Sequence, residues 1–65
     1  MVSKLKIARI QAELSQARLA DLAGTYQGRV SKIERGGRPD PDEAVLLAKA
    51  VGVPAEELFG DGYSQ

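Results

Sequence analysis

The sequence predicts an all-α protein, a compact bundle of five short helices that forms a single domain over residues 1–65. Glycine and proline interrupt the chain near residues 24, 36–41, 52–54 and 60–62, and five short helices fit between these breaks. No stretch alternates apolar and polar residues long enough to indicate a β-strand. The chain contains no cysteine or histidine, which excludes disulfides, zinc fingers and imidazole catalysis, so helix packing has to supply the core.

The first two helices are predicted from apolar spacing and from a capping residue. The first is expected over about residues 3–13, with Leu5, Ala8 and Ala12 on one face. Its other apolar face contains Ile7, Ile10 and Leu14. The second is expected to begin after Ser15, whose hydroxyl can accept a hydrogen bond from a free backbone N–H, and to end at Gly24. Its predicted buried stripe contains Leu19, Ala20, Leu22 and Ala23.

The third helix is expected over about residues 26–35, with Thr25 as its N-cap. At 100° per residue, Tyr26, Val30 and Ile33 share one face. The opposite face is polar, small and basic, and contains Gly28, Ser31, Lys32 and Arg35. A tight turn holds the second and third helices close together. Residues 15–35 are therefore predicted to form a helix-turn-helix unit that presents the polar face of the third helix to a groove.

The fourth helix has the clearest predicted start. Asp40 as N-cap, Pro41 at the first helical position and Glu43 at the third can form a capping box. The predicted inward stripe contains Ala44, Leu47, Ala48 and Val51. A short fifth helix is expected over residues 54–59, and the tail over residues 60–65 is expected to be frayed.

The net charge is zero, but the two halves of the chain differ in sign. Residues 1–38 contain eight basic and three acidic residues, a net charge of +5, and residues 39–65 carry a net charge of −5. This asymmetry favours a polyanion at one face, although two differently solvated halves would also explain it. No apolar run approaches the roughly 20 residues that cross a bilayer, and no signal peptide is evident. We therefore expect a cytoplasmic protein that has no membrane partner.

Motifs spaced over about residues 4–59 resemble those of the Cro and phage-repressor type of helix-turn-helix regulators, also called the xenobiotic-response-element family. The matching residues are Leu14-Ser15-Gln16, Leu19-Ala20, Gly24, Val30-Ser31, Ile33-Glu34-Arg35-Gly36, Leu47-Ala48-Lys49-Ala50, Gly52-Val53 and Glu57-Leu58-Phe59. The resemblance implies a lambda-repressor-like fold, a third helix that enters the major groove of double-stranded DNA, and a prokaryotic or phage source.

The resemblance also implies roles for individual residues. The positions that resemble the family's base-facing set are Gln27, Gly28, Ser31 and Lys32. The chemistry agrees with this, because Gln fits the N6 and N7 edge of adenine and Lys donates to O6 and N7 of guanine. Gln16 matches the family position that bonds a backbone phosphate. Arg9 and Glu34 match a structural ion pair of the first and third helices.

Further phosphate contacts are expected from cations that flank the predicted recognition helix. These are Arg29, Arg35 and Arg38. Arg18 lies in the first turn of the second helix, where its charge opposes the helix dipole unless a phosphate is near. Tyr26 can either pack inward or bond a phosphate through its hydroxyl.

The sequence-based hypothesis is a sequence-specific transcription regulator that binds a pseudo-palindromic operator as a homodimer. Candidate dimer or partner residues are Leu46, Leu58, Phe59 and Tyr63, or Ile7 and Ile10. The rival hypothesis is a protein-interaction module on the same fold, such as an antitoxin-like subunit that docks a partner through Ile7, Ile10 and Leu46. The zero net charge and the acidic second half favour this rival. We expect no enzymatic activity, cofactor, metal or small-molecule ligand. Within the DNA-binding class, the alternative is that the chain is one domain of a longer regulator.

Overall fold

Five α-helices and one 3-10 turn make up the computed structural model, which describes residues 2–63. The elements are α1 (Lys4–Gln11), α2 (Gln16–Ala23), α3 (Gln27–Glu34), α4 (Pro41–Val51), α5 (Ala55–Phe59) and the 3-10 turn Asp61–Tyr63. No β-strand occurs within residues 2–63. The predicted all-α architecture with five helices is therefore confirmed.

Local capping explains where the helices begin and end. Ser15 Oγ accepts a hydrogen bond from the backbone N–H of Arg18 at 3.0 Å, as predicted for the start of α2. At the start of α4, Glu43 Oε1 accepts the backbone N–H of Asp40 at 2.9 Å, which is the glutamate half of a capping box. Gly24 ends α2 with a φ of 70°, a left-handed conformation that residues with a Cβ adopt at a cost.

The predicted start of α3 was wrong by one residue. Tyr26 is the N-cap, in an extended conformation and without a capping side-chain hydrogen bond, and the helix begins at Gln27. Thr25 is not the N-cap because it belongs to the turn that closes α2, where its backbone N–H donates to Ala20 O at 2.9 Å. The prediction that Tyr26 shares a face with Val30 and Ile33 assumed that Tyr26 is helical. It is not, and its side chain is 69% exposed.

The core lies where α1, α2, α3, α4 and α5 meet. Its largest fully buried side chains are Leu5, Leu19, Val30 and Leu47. The prediction that Leu22 is buried was wrong, since this side chain is 47% exposed. At 100° per residue it lies roughly 100° from the centre of the stripe formed by Leu19, Ala20 and Ala23, which is enough to turn it out of the core.

The C-terminal segment is more ordered than the sequence predicted. Residues 61–63 form a 3-10 turn, Tyr63 Oη donates to Pro39 O at 2.7 Å, and the Tyr63 ring packs edge-on against Phe59 with centroids 5.4 Å apart. The prediction of a frayed tail was therefore wrong for these three residues, and residues 64–65 lie outside the described part of the chain. None of the helices within residues 2–63 is long and apolar enough to cross a membrane.

Candidate nucleic-acid interface

The outer face of α3 carries the residues that were predicted to face DNA bases. Gln27, Gly28 and Lys32 are exposed and Ser31 is half-buried, whereas Val30 and Ile33 on the other side are in the core. Gly28 and Ser31 are small, so the middle of this face carries no long side chain. Longer polar side chains at positions 27 and 32 flank it, and both can reach hydrogen-bonding partners outside the protein.

The angle between α2 and α3 is fixed by a short turn and by packing. Residues 24–26 connect the helices, and Leu19 and Ala20 of α2 belong to the same buried cluster as Val30 and Ile33 of α3. Ala20 is only 2% exposed, and its small side chain lets the two helices approach closely. The turn and the core therefore hold α3 by its apolar side and leave its polar side open.

A polar network of Arg9, Glu34, Gln16 and Gln27 connects α1, α2 and α3. Arg9 Nε donates to Glu34 Oε2 at 2.6 Å, and Arg9 Nη1 donates to the backbone oxygen of Leu14 at 2.8 Å. Gln16 Nε2 donates to Glu34 Oε1 at 3.0 Å, and Gln27 Nε2 donates to Gln16 Oε1 at 3.4 Å.

The polar network runs from the interior to the surface. The Glu34 side chain is 4% exposed, so its charge depends on Arg9 and Gln16 for compensation. Gln16 in turn lies beside the first residue of α3. The network therefore fixes the orientation of α3 against α1 and sets the position of one amide, that of Gln27, on the outer face.

Arg29 is the predicted phosphate contact that the structure places differently. Its Nε and Nη2 atoms donate to both carboxylate oxygens of Glu43, at 2.8 and 2.7 Å, and Nη2 also lies 3.4 Å from Arg38 O. The prediction overlooked this partner, which is fourteen residues away in sequence and neutralises the guanidinium. Arg29 therefore ties α3 to the start of α4 and is not free to neutralise a phosphate.

This ion pair makes stability depend on pH. Hydrogen bonds from Arg29, and then from the backbone N–H of Asp40, lower the pKa of Glu43 from 4.5 to about 2. Because the folded pKa is the lower one, the contribution of Glu43 is complete above about pH 4.5 and is lost as the pH falls towards 2.

We predict that Glu43→Gln destabilises the chain by about 1 kcal/mol at neutral pH, and that the difference from the unaltered chain disappears near pH 2. Urea denaturation at several pH values measures this. Glu56→Gln, which removes an exposed acid with no ion pair among residues 2–63, is the matched control. A difference that stays constant with pH would contradict the assignment to the Glu43 carboxylate.

The other cations that were predicted to contact phosphates, Arg18, Arg35 and Arg38, are exposed at the surface. The guanidinium of Arg38 lies over the Tyr63 ring, 5.5 Å from its centroid. The Tyr26 ring covers one flank of Gly28, since a Cβ placed on Gly28 would lie 3.4 Å from Tyr26 Cε2. Tyr26 is thus on the outer surface beside the base-facing positions and does not pack inward.

Lys6 also lies at this surface, although it was not among the residues predicted to contact DNA. A surface groove is lined by Lys6 of α1 together with Gln16, Ser31 and Arg35. The signal was available, because Lys6 stands three residues before Arg9 and so shares the side of α1 that faces α3. A cation of α1 therefore joins the basic residues near the polar face of α3.

The candidate dimer residues fall into three groups. Leu58 is only 8% exposed and belongs to the core, so its assignment to a dimer surface was wrong. Phe59 and Tyr63 are partly buried and pack against each other. Leu46, Ile7 and Ile10 are exposed by 43%, 46% and 56% and remain available to a partner.

A comparison with known protein families agrees with this geometry. A family model described as helix-turn-helix matches residues 5–58, which include both helices of the motif and nearly all of the described fold. The match covers more than half of the chain. The chain therefore belongs to the helix-turn-helix family of Cro and phage-repressor type, a family of DNA-binding transcription regulators.

Proposed function

We propose that this DNA-binding regulator recognises a specific duplex sequence by placing α3 in the major groove. The observation that carries the proposal is the outward polar face of α3, which has two small residues between Gln27 and Lys32. A helix of this width fits the major groove, where each base pair presents a distinct pattern of donors and acceptors. Gln27 would read adenine and Lys32 guanine.

Phosphate contacts would come from the rim of the same surface. The groups are the amide of Gln16 and the cations Lys6, Arg18, Arg35 and Arg38, all near α3 or at the ends of the helices that hold it. These contacts orient the protein on the duplex but do not read sequence. They also explain how a chain of zero net charge can bind a polyanion, since the positive charge is concentrated in residues 1–38.

The first test is a selection on random duplexes followed by affinity measurements at several salt concentrations. We expect one preferred sequence, and a logarithm of affinity that falls linearly with the logarithm of salt at a slope of about −0.9 per phosphate neutralised. No duplex binding at about 50 mM salt, or an affinity independent of salt, would contradict the proposal.

Variants separate base contacts from phosphate contacts. We predict that Gln27→Ala and Lys32→Ala each lose about 1–3 kcal/mol of discrimination at particular base pairs, whereas Arg38→Ala weakens binding to all sequences alike. Lys49→Ala is the control for Lys32→Ala, because Lys49 is an exposed lysine in the acidic half of the chain. Equal losses on specific and random DNA for both α3 variants would refute the assigned face.

We also propose that the chain acts as a homodimer on a pseudo-palindromic operator. The described part of the chain measures 26 × 25 × 20 Å, so one copy covers less than a turn of DNA. Two copies related by a two-fold axis would place their α3 helices in successive major grooves about 34–36 Å apart. The Leu46 side of α4 is the better interface, since the Lys6 edge of α1 borders the proposed DNA surface.

We predict that Leu46→Glu raises the dimer dissociation constant and the half-saturation concentration on a palindrome together, with little effect on a single half-site. Ile7→Glu is the matched control, because Ile7 is exposed to the same degree, 46% against 43%. Sedimentation and binding titrations measure both quantities. If Ile7→Glu dissociates the dimer and Leu46→Glu does not, the interface is on α1. A monomer at all concentrations, with a half-site bound as tightly as a palindrome, would contradict dimerisation.

The second candidate function is a protein-interaction module, which is favoured by one observation. Ile7 and Ile10, three residues apart on α1, are both about half exposed. Exposed apolar side chains that adjoin one another on one helix face can form part of a partner surface. Failure to bind any duplex, together with a partner whose binding is lost in Ile10→Glu, would favour this function over DNA recognition.

A further inference from the structure

Tyr63 brings together the C-terminal 3-10 turn and the loop that follows α3. Its hydroxyl donates to Pro39 O at 2.7 Å, across 24 residues of sequence. Its ring packs edge-on against Phe59 and lies under the guanidinium of Arg38. A single side chain therefore contacts the core, the loop backbone and a cation of the loop.

The Arg38 guanidinium lies against the Tyr63 ring, and within residues 2–63 it has no hydrogen-bond acceptor. The guanidinium carbon lies 5.5 Å from the Tyr63 ring centroid, within the range of a cation–π contact. A Cβ placed on Gly62 would lie 3.6 Å from Arg38 Nη2, so the guanidinium also lies close to the backbone of the 3-10 turn. No acceptor among residues 2–63 receives a hydrogen bond from it. A guanidinium has five N–H donors, and those that bond no acceptor within residues 2–63 remain available to bind a phosphate.

The loop itself is held from both ends. Gly37 N–H donates to Lys32 O at 3.0 Å, and a Cβ on Gly37 would approach that oxygen to 2.9 Å, so only glycine allows the chain to leave α3 this closely. Pro39 is buried and its oxygen is held by Tyr63. The backbone of Arg38 is thus fixed by its neighbours in the loop. Only the rotational freedom of the Arg38 side chain is left for a further contact to restrict.

We propose that Tyr63 is a positioning residue for DNA binding: its ring holds the Arg38 guanidinium in place so that it meets a backbone phosphate with little further loss of side-chain freedom. This inference rests on the proposed function. An arginine that is already immobilised loses less conformational entropy when it binds, and for one such side chain this corresponds to about a 2- to 10-fold gain in affinity.

A double-mutant cycle on the selected duplex at one fixed salt concentration tests this. Tyr63→Leu should weaken binding about 2- to 10-fold when Arg38 is present, and should have less than a 2-fold effect in the Arg38→Ala background. Tyr63→Phe is the matched control, because it keeps the ring and removes only the hydroxyl. The Gly37 N–H bond to Lys32 O and the burial of Pro39 still hold the loop, so this variant should lose clearly less affinity than Tyr63→Leu. Circular dichroism melts define a temperature at which every variant is folded.

The outcomes separate this inference from the proposed function. Equal losses from Tyr63→Leu in both backgrounds, or a Tyr63→Phe loss as large as that of Tyr63→Leu, overturn the positioning role of the ring and leave DNA recognition in place. Failure of the unaltered chain to bind any duplex overturns both. Nuclear Overhauser effects between the Arg38 side-chain protons, those of the guanidinium included, and the Tyr63 ring of the unaltered chain require no variant. The absence of all of them overturns the inference independently of folding.

Discussion

Replacing Arg9 with alanine should leave most of the chain unfolded at room temperature. The substitution removes both hydrogen bonds from Arg9 to the Glu34 carboxylate and the bond to Leu14 O. The Glu34 side chain, which is 4% exposed in the unaltered chain, then loses its charged partner. Leaving one member of a buried ion pair without its partner costs about 3–5 kcal/mol. A domain of this size without disulfides or metals has only about 3–5 kcal/mol in total from its core, so the loss is comparable with the whole stability.

Urea denaturation followed by circular dichroism measures the effect of Arg9→Ala. Arg35→Ala removes an exposed arginine one residue after Glu34, and as a control it should change stability by less than about 0.5 kcal/mol. The double variant Arg9→Met with Glu34→Met should be more stable than Arg9→Ala, because it leaves no buried charge. A cooperative transition for Arg9→Ala close to that of the unaltered chain would show that Gln16 alone can compensate Glu34.

Leu19→Ala should be the second most damaging change. Leu19 has no solvent exposure and lies in the cluster that joins α2 to α3. Truncating a fully buried leucine costs about 2–5 kcal/mol, through lost burial and the cavity left behind. Because this cluster sets the angle between the two helices, partly folded Leu19→Ala protein should also lose DNA affinity.

Leu22→Ala is an unusually close control, since it makes the same substitution in the same helix three residues later. Leu22 is 47% exposed, so the change should cost less than about 1 kcal/mol. Denaturation midpoints of the two variants, measured at one protein concentration, give the comparison. Equal losses would mean that Leu22 is covered in solution, and repeating the measurement at several concentrations would show whether a second copy covers it.

Features that depend on neighbours in sequence were predictable from the residues themselves. Those that depend on distant partners were not, apart from the Arg9–Glu34 pair, which the family resemblance implied. The Ser15 cap, the Glu43 cap and the Gly24 turn each involve groups within four residues, so side-chain chemistry was enough to place them. The exposed face of α3 followed from helical periodicity. The Arg29–Glu43 pair and the Tyr63–Pro39 bond join residues 14 and 24 positions apart, and no local pattern indicates either.

Leu22 illustrates a different limit of periodicity. Four apolar residues in the second helix span a wide arc, and the pattern alone does not say which edge of that arc the rest of the protein covers. In the structure, α2 packs against α3 and α4 in such a way that Leu19, Ala20 and Ala23 are buried and Leu22 is exposed. For the candidate interface, the residue types on α3 were visible in the sequence, whereas the ion pair between Arg29 and Glu43 required the tertiary arrangement.

The contact of Gln27 with Gln16 matters to anyone who would redesign the DNA preference of this protein. Grafting the outer residues of another recognition helix onto α3 would replace Gln27 and leave Gln16 behind, with its amide oxygen deprived of a donor 3.4 Å away. Gln16 is also bonded to Glu34, so it is not free to follow an arbitrary new neighbour. Libraries that randomise positions 16 and 27 together should therefore yield new binding preferences that libraries confined to α3 miss.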